Sequence, residues 1–370
     1  MSTIAVETAP DALDPLRLAR RIGALAAVAA VVAALLAVGP GLRGVRDALT
    51  HGAPGWVAAA VVLELLSALS YVVIFRAVFC ARMTWRLSYQ IGMSEQAANS
   101  VLSLSGAGGL ALGVWALRRG GMSADHIGRR TVAFFLLTSL ANVLAVVVLA
   151  PLSVARVVDD PARGVTAAFG LAAAASIVLV LGVGRLLRKR AHAPADRKPG
   201  GVLARAMRFV RDAAGHGVGD ATLLLRGRSI GVVAGSVGWL GFDIAVLAAC
   251  FAAFGHVPPP AVVALGYLLG QLGGNLPTPG GIGGVDAGLI GAFSLYHQPL
   301  DTTAAAVLTY HAVAIAVPAL VGSVAFVQLR QTLSREAQPA AVCAPLAERL
   351  DTERASAVAD PPAPVAEAAR

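Results

Sequence analysis

The chain contains several apolar runs that are long enough to cross a lipid bilayer. The first, residues 22–38, reads IGALAAVAAVVAALLAV and holds no charged side chain. A transmembrane helix needs about 20 mainly apolar residues, because in lipid every backbone polar group must be satisfied within the helix. The runs predict an all-α polytopic membrane protein with about six full transmembrane helices, at 22–38, 55–79, 131–152, 165–187, 229–254 and 302–328.

Composition agrees with this class. Of the 370 residues, 57% are hydrophobic and 14% are charged, whereas only 5% are aromatic. The apolar mass is therefore mainly Ala, Val, Leu and Gly, small residues that let helices approach closely in lipid. These proportions argue against a soluble globular domain.

The cysteines and histidines predict no metal site and no cofactor. Cys80, Cys250 and Cys343 lie far apart and fit neither a disulfide framework nor a zinc spacing, and the seven histidines are scattered. Cys80 and Cys250 fall in predicted membrane helices, where we interpret them as small apolar fillers. No nucleophile–base pair stands out either, so we predict no catalytic residue and a protein that is not an enzyme.

Basic residues are concentrated in one segment of this chain of net charge +9. Residues 185–228 hold eleven Lys or Arg and three Asp. Between membrane spans, the positive-inside rule explains such a loop better than a nucleic-acid partner does. We expect a plasma-membrane protein with a cytoplasmic N-terminal segment at 1–21, a cytoplasmic basic loop at 188–228, and a disordered cytoplasmic tail at 331–370.

Two further regions, 87–119 and 261–297, are moderately apolar and are broken in the middle by glycines. Neither half of either region is long enough to cross the bilayer. Each region therefore predicts a re-entrant helical hairpin, whose irregular turn must be covered by protein or must line a water-filled cavity.

The two hairpin regions resemble each other. Each follows a full span, and each carries an Asn, then a glycine pair, then a half-helix and another span. Because the count of spans places one hairpin on the inside and the other on the outside, we predict inverted-topology repeats at about 55–152 and 229–328 within a transmembrane domain at 22–330. The corresponding residues are Asn99 with Gly108 and Gly109, and Asn275 with Gly280 and Gly281.

The stretch NLPTPGGIGGVDAG contains the candidate binding residues of the second hairpin. Pro277 and Pro279 end the first half-helix, and the glycines that follow let the chain reverse. The next half-helix points its N-terminus at the turn, which favours an anionic head group. Asn275 and Thr278 either bind the ligand or cap the turn. Asp286 is either a favourable helix-end charge or a ligand-binding or proton-carrying group.

Ionisable residues also fall within the predicted spans. Glu64, Arg76, Asp243 and His311 lie at membrane depth, where charges are costly and are usually functional or paired. We include Asp243 and His311 among the substrate-binding or transport residues. His311 is interpreted either as a neutral, hydrogen-bonded side chain or as a proton relay.

The stretch NLPTPGGIGGVDAGLIGAF (275–293) with AAAVLTYHAVAIAVPALVGSVAF (304–326) closely resembles the lysylphosphatidylglycerol synthase transmembrane region, a flippase-like membrane domain family. VGWLGFDIAVLAACFAAFG (237–255) is similar to that family's preceding helix. The family usually has Glu at the position of Asp286 and Arg at that of His311. The resemblance covers residues 20–330 and implies movement of lipids between leaflets, as in members that move aminoacylated lipids.

The expected function is translocation or handling of an anionic or modified lipid, with membrane lipids as partners through anionic head groups. One alternative is a non-transporting scaffold that holds a lipid-modifying or glycosyl-lipid enzyme at the membrane. Another is a lipid aminoacyltransferase, but that activity needs a soluble catalytic domain, and only a short polar tail follows the last span.

Overall fold

The computed structural model describes residues 52–102, 107–191, 215–227, 229–275, 284–336, 339–340 and 343, and its regular elements there are helices. In chain order they are α1 Pro54–Phe79, α2 Trp85–Leu102, α3 Ala107–Arg119, α4 Ala124–Val154, α5 Arg163–Ala191, α6 at 215–226, α7 Ile230–Ala253, α8 Pro260–Gly270 with a 3-10 extension Gln271–Asn275, α9 Gly284–Leu295 and α10 Leu300–Arg335.

Five of these helices are long and apolar enough to cross a membrane, namely α1, α4, the first part of α5, α7 and α10. They coincide with five of the six predicted spans, and the sixth, 22–38, lies outside the described residues. Large apolar side chains on them face outward: Leu171 is 74% exposed, Val178 72% and Leu320 72%. An outer surface of this kind is what lipid requires, so the prediction of an all-α polytopic membrane protein is confirmed.

Each region predicted to form a hairpin contains two short helices that pack against each other. The first helix pair is α2 and α3, of 18 and 13 residues, on either side of residues 103–106. The second helix pair is α8 with its 3-10 extension, and α9; α8 and α9 have 11 and 12 residues. Each helix is thus shorter than the roughly 20 residues that a span requires.

The centre of the molecule is built on two close helix crossings. The most extensive contact joins α1 to α7, where a Cβ added to Gly235 would lie 2.6 Å from the backbone nitrogen of Ile74. The next joins α2 to α10, where a Cβ on Gly322 would overlap the carbonyl oxygen of Met93. Small residues at the crossing points let the backbones meet, as is common between membrane helices.

The described part of the basic loop packs back onto the transmembrane helices. Asp220 on α6 forms ion pairs with Arg129 and Arg130 of α4, with nitrogen–oxygen distances of 3.5 and 3.4 Å. The acidic residue therefore offsets part of the positive charge at the start of α4.

The cysteine interpretation was wrong in one respect. Cys80 caps the C-terminus of α1 and forms a disulfide with Cys343, whose Cα lies 5.6 Å away, whereas Cys250 is buried and free as expected. The two bonded cysteines are 263 residues apart, and only the tertiary fold brings them together.

The start of the tail also differs from the prediction of disorder from residue 331. Helix α10 continues to Arg335, and Ala340 is fully buried, with its N–H donating a hydrogen bond to the Gly120 carbonyl oxygen at 2.7 Å. Beyond Cys343 the tail lies outside the described residues.

Candidate functional site

A cavity of about 330 Å³ lies between the two helix pairs and the central spans. Helices α1, α2, α7, α9 and α10 and the 3-10 extension of α8 all contribute to its wall, so both predicted repeats line it. The lining residues are Glu64, Gln96, Asn99, Ser100, Trp239, Asp243, Gln271, Val285, Tyr310, His311, Ala314, Ile315 and Pro318.

Three of the predicted site residues, Asn99, Asp243 and His311, line this cavity, and a fourth, Asp286, contacts His311. Gly108 and Gly109 lie in the first turn of α3. Asn275 ends the 3-10 extension, and its side chain is outside the described part of the structure. Pro277, Thr278, Pro279, Gly280 and Gly281 also lie outside the described residues.

Asp286 and His311 form a partly buried pair. Asp286 lies in the first turn of α9, and its Oδ1 is 2.8 Å from Nδ1 of His311 in the middle of α10. The side chains are only 12% and 15% exposed, respectively. Within the described residues the other ring nitrogen of His311, Nε2, is buried without a hydrogen-bond partner. Asp286 therefore has a specific partner in addition to its favourable place at the helix N-terminus.

Asp243 is held by hydroxyl groups on two neighbouring helices. Ser67 of α1 donates a hydrogen bond to its Oδ1 at 2.5 Å, and Tyr267 of α8 donates one to its Oδ2 at 2.9 Å. Both carboxylate oxygens thus accept a hydrogen bond from a neutral donor. This arrangement fixes the direction of the carboxylate without neutralising its charge.

Glu64 is the second carboxyl group in the wall of the cavity. The residue is 5% exposed, and its Oε2 has no hydrogen-bond partner in the part of the chain that the structure describes. It lies one turn before Ser67 on the same helix, so both side chains face α7. Arg76, the basic residue of α1, lies further along the helix and donates a hydrogen bond to the Met83 carbonyl oxygen at 2.7 Å.

The first helix pair is held in register by polar side chains opposite glycines. The side-chain oxygen of Asn99 accepts a hydrogen bond from the Gly109 N–H at 2.9 Å. One turn earlier on α2, the Glu95 carboxylate occupies the space that a Cβ on Gly113 would need. Asn99 and Glu95 are four residues apart on α2, and the glycines that face them, Gly109 and Gly113, are four residues apart on α3. Asn99 thus both lines the cavity and ties the two helices together.

Glu95 was not predicted as a site residue, yet it is buried and accepts a hydrogen bond from the Tyr71 hydroxyl at 2.7 Å. The sequence offered a reason to select Glu95, because it is a charged residue within a region predicted to enter the membrane. Glu64 was noted for the same reason. Gln96, Ser100 and Gln271 were also missed, since an uncharged polar residue near a helix break has no distinctive sequence pattern.

The charged groups in the described wall of the cavity are two carboxyl groups and one imidazole, with no Lys or Arg among the lining residues. Trp239 and Tyr310 add aromatic surface. Such a lining favours cations and hydrogen-bond donors, since carboxylates attract them and aromatic faces bind ammonium groups. Among the described residues no group of three or more His, Cys, Asp or Glu side chains is placed to hold a metal ion.

A family model described as the lysylphosphatidylglycerol synthase transmembrane region matches residues 22–322. The match includes all the described cavity residues and also residues 276–283, which the structure does not describe. Searches of curated proteins and of solved structures found no match.

Proposed function

The chain belongs to the family of the lysylphosphatidylglycerol synthase transmembrane region, and from this premise we propose that it translocates an anionic or modified lipid between the leaflets of the plasma membrane. The observation that carries the proposal is the polar cavity between the two helix pairs. A polar head group needs such a place to cross the hydrocarbon core, because unsatisfied polar groups are costly in lipid.

The arrangement of helices supports a transport mechanism with two inverted repeats. In each half a long apolar helix (α1 or α7) precedes a pair of short helices and is followed by another long helix. The first long helix of each half contributes one carboxyl group to the cavity. Helix α1 contributes Glu64, which precedes Asn99 in the chain, and α7 contributes Asp243, which precedes Asn275. With the span at 22–38 this gives six transmembrane helices, and the short pairs become two re-entrant hairpins. Rocking of one repeat against the other would expose the cavity to each leaflet in turn.

The lining of the cavity favours a modified head group over a purely anionic one. Glu64 and Asp243 suit an ammonium group, and the aromatic faces of Trp239 and Tyr310 suit it further. A lipid phosphate would be bound at the N-terminus of α9, where the backbone N–H groups of the first turn lack partners within the helix and the helix dipole is positive. We infer a lipid that carries both an ammonium group and a phosphate.

A lipid-scrambling assay tests the proposal. The purified protein is placed in vesicles that contain fluorescent lysylphosphatidylglycerol. It should move labelled lipid from the inner leaflet to the outer leaflet, where a membrane-impermeant quencher reaches it. In empty vesicles, which contain no protein, the inner-leaflet label should stay unquenched. Asp243→Asn should slow this exposure at least tenfold, and Asp301→Asn, a change at an exposed acidic residue in the first turn of α10, should not. Quenching equal to that of empty vesicles would contradict transport. It would favour the alternative, a scaffold for a lipid-modifying enzyme.

The glycine turn supplies a second variant for the same assay. We expect Gly280→Leu or Gly281→Leu to abolish lipid movement while insertion into the membrane is retained, because a side chain would fill the turn or forbid its backbone geometry. Normal lipid movement in both variants would exclude the turn from the site.

The inverted topology has its own test. Single cysteines introduced at 190–200 should react only with a cytoplasmic reagent, and single cysteines near residue 299 only with an external one. This pattern would also agree with termini that both lie in the cytoplasm. Labelling of both positions from one side would contradict the inverted repeats.

We propose that the chain is not itself an aminoacyltransferase. Purified protein that is supplied with charged tRNA, or with an activated sugar donor, and phospholipid should form no new lipid. A new lipid product, detected by mass spectrometry, would instead make this chain a transferase.

A further inference from the structure

The two carboxyl groups in the wall of the cavity have no Lys or Arg beside them among the lining residues that the structure describes. Glu64 on α1 and Asp243 on α7 both face the cavity, and the described lining holds no Lys or Arg. Two carboxylates that face one small cavity in a poorly solvated setting repel each other, and both cannot remain ionised without a neutralising cation.

The backbone cannot easily move these groups apart. They lie on α1 and α7, the two helices in most extensive contact, and the absence of a side chain at Gly235 lets α7 approach the backbone of α1 near Ile74. Ser67, one turn after Glu64, donates a hydrogen bond to Asp243 at 2.5 Å. The same hydroxyl therefore joins the helix that carries Glu64 to the Asp243 carboxylate.

The hydrogen bonds around the pair leave one position open for a proton. Both oxygens of Asp243 accept hydrogen bonds from hydroxyl groups, as its ionised form requires. Oε2 of Glu64, by contrast, is buried and lacks a partner among the described residues, in a residue that is 5% exposed. A proton on the Glu64 carboxyl would remove its charge and turn an acceptor into a donor.

We propose that Glu64 and Asp243 form a proton-binding site in which one proton is shared when the cavity holds no head group. The proton is carried by Glu64 while the two hydroxyl donors hold Asp243 ionised. An ammonium group that enters the cavity supplies the positive charge in its place, and the proton then leaves to solvent. The site thus exchanges one proton for one cationic head group.

The other titratable groups around the pair do not supply the missing charge. Tyr267 of α8 is a donor to Asp243, and Tyr310 of α10 is a neutral neighbour in the cavity wall. Cys250 is a buried thiol on α7. His311 on α10 contacts Asp286 of α9, so any positive charge on its ring is matched by that carboxylate. Glu95 of α2 is bonded to Tyr71 of α1.

The test uses the intact protein in lipid nanodiscs that contain only phosphatidylglycerol, whose head group carries no ammonium group. Infrared spectroscopy records the absorbance of protonated carboxyl groups as the pH is raised. We expect two steps from the pair, separated by more than about one pH unit because the sites interact. Glu64→Gln should leave one of these steps, and Glu64→Gln combined with Asp243→Asn should remove both. Glu95→Gln, which changes a buried carboxyl group outside the cavity wall, should leave the two steps in place.

A milder variant covers the case in which the carboxyl variants do not fold. Ser67→Ala removes one donor to ionised Asp243, so proton loss from the pair should move to higher pH by about one unit. An unchanged titration in Ser67→Ala, or identical titrations of the wild-type protein and the double variant, would overturn the proposal. Loss of the protonated signal on addition of Na⁺, but not of choline, at constant pH would overturn it in favour of a metal-ion site.

The exchange of a proton for a head group rests on the proposed function, but the proton site does not. A pair that titrates as described in a protein that moves no lipid would refute transport alone. Lipid movement by a protein whose cavity shows no such titration would refute the proton site alone.

Discussion

Replacement of Asp286 by Ala should destabilise the protein more than the same change at Asp301. Both acidic residues lie in the first turn of a helix, α9 and α10 respectively, so both gain from the helix dipole. They differ in surroundings, because Asp286 is largely buried and contacts His311, whereas Asp301 is exposed. The pair of variants therefore separates the helix-end contribution from the contribution of the histidine.

The expected magnitudes follow from these two environments. A carboxylate in an exposed first turn contributes about 0.3–1 kcal/mol, which is the loss expected for Asp301→Ala. Asp286→Ala loses this amount and, in addition, the 2.8 Å contact with His311. Side chains in direct contact are usually coupled by about 0.5–3 kcal/mol. The total loss for Asp286→Ala should thus be about 1–4 kcal/mol.

The assay is unfolding in mixed detergent micelles, followed by tryptophan fluorescence. A double-mutant cycle with Asp286→Ala, His311→Ala and the double variant isolates the pair from other effects of each substitution. We expect a coupling energy of about 0.5–3 kcal/mol between the two positions. Asp301→Ala combined with His311→Ala should be additive to within about 0.5 kcal/mol, since the two side chains do not contact each other.

A coupling energy below about 0.5 kcal/mol between Asp286 and His311 would refute this reasoning. Equal losses of stability for Asp286→Ala and Asp301→Ala would refute it as well. In either case Asp286 would act only as a helix-end charge, the simpler of the two interpretations that the sequence allows.

Two further expectations concern packing and the tail. Gly113→Leu should lower the free energy of unfolding by about 2–4 kcal/mol in the same assay, because the new side chain overlaps the buried Glu95 carboxylate. Gly164→Leu is the control and should lower it by less than about 1 kcal/mol, since a Cβ at Gly164 meets no described atom within 4 Å. Quantitative alkylation of the unfolded protein should detect one free thiol, Cys250, before reduction and three thiols after it. In Cys343→Ser, Cys80 should also react without reductant. Three free thiols in the unreduced wild-type protein would contradict the disulfide.

Most of the architecture could be predicted because the bilayer restricts it severely. Apolar length alone located the helices α1, α4, α5, α7 and α10, since a spanning segment has few alternatives to a long helix. The breaks between the paired short helices were predictable for the converse reason, because glycines in an apolar stretch weaken a helix there. The disulfide was not predictable, because two cysteines 263 residues apart leave no local pattern.

The candidate site was only partly predictable, since its residues come from six separate elements. Charge at membrane depth singled out Asp243 and His311, and the glycine pattern singled out Asn99; all three line the cavity. The same rule noted Glu64 but gave no reason to join it to Asp243, because helices α1 and α7 are distant in sequence. Only the crossing of the two helices brings the two carboxyl groups to one cavity.

The contact between Asp286 and His311 explains two departures from the family pattern at once. The lysylphosphatidylglycerol synthase transmembrane region, which the sequence resembles, usually has Glu and Arg at these positions. Both side chains are shorter here, and the two remain 2.8 Å apart. Loss of either side chain would leave the other without this contact, next to a cavity that Glu64 and Asp243 also line, a costly arrangement at membrane depth. The two residues together therefore allow a direct contact between these positions with shorter side chains.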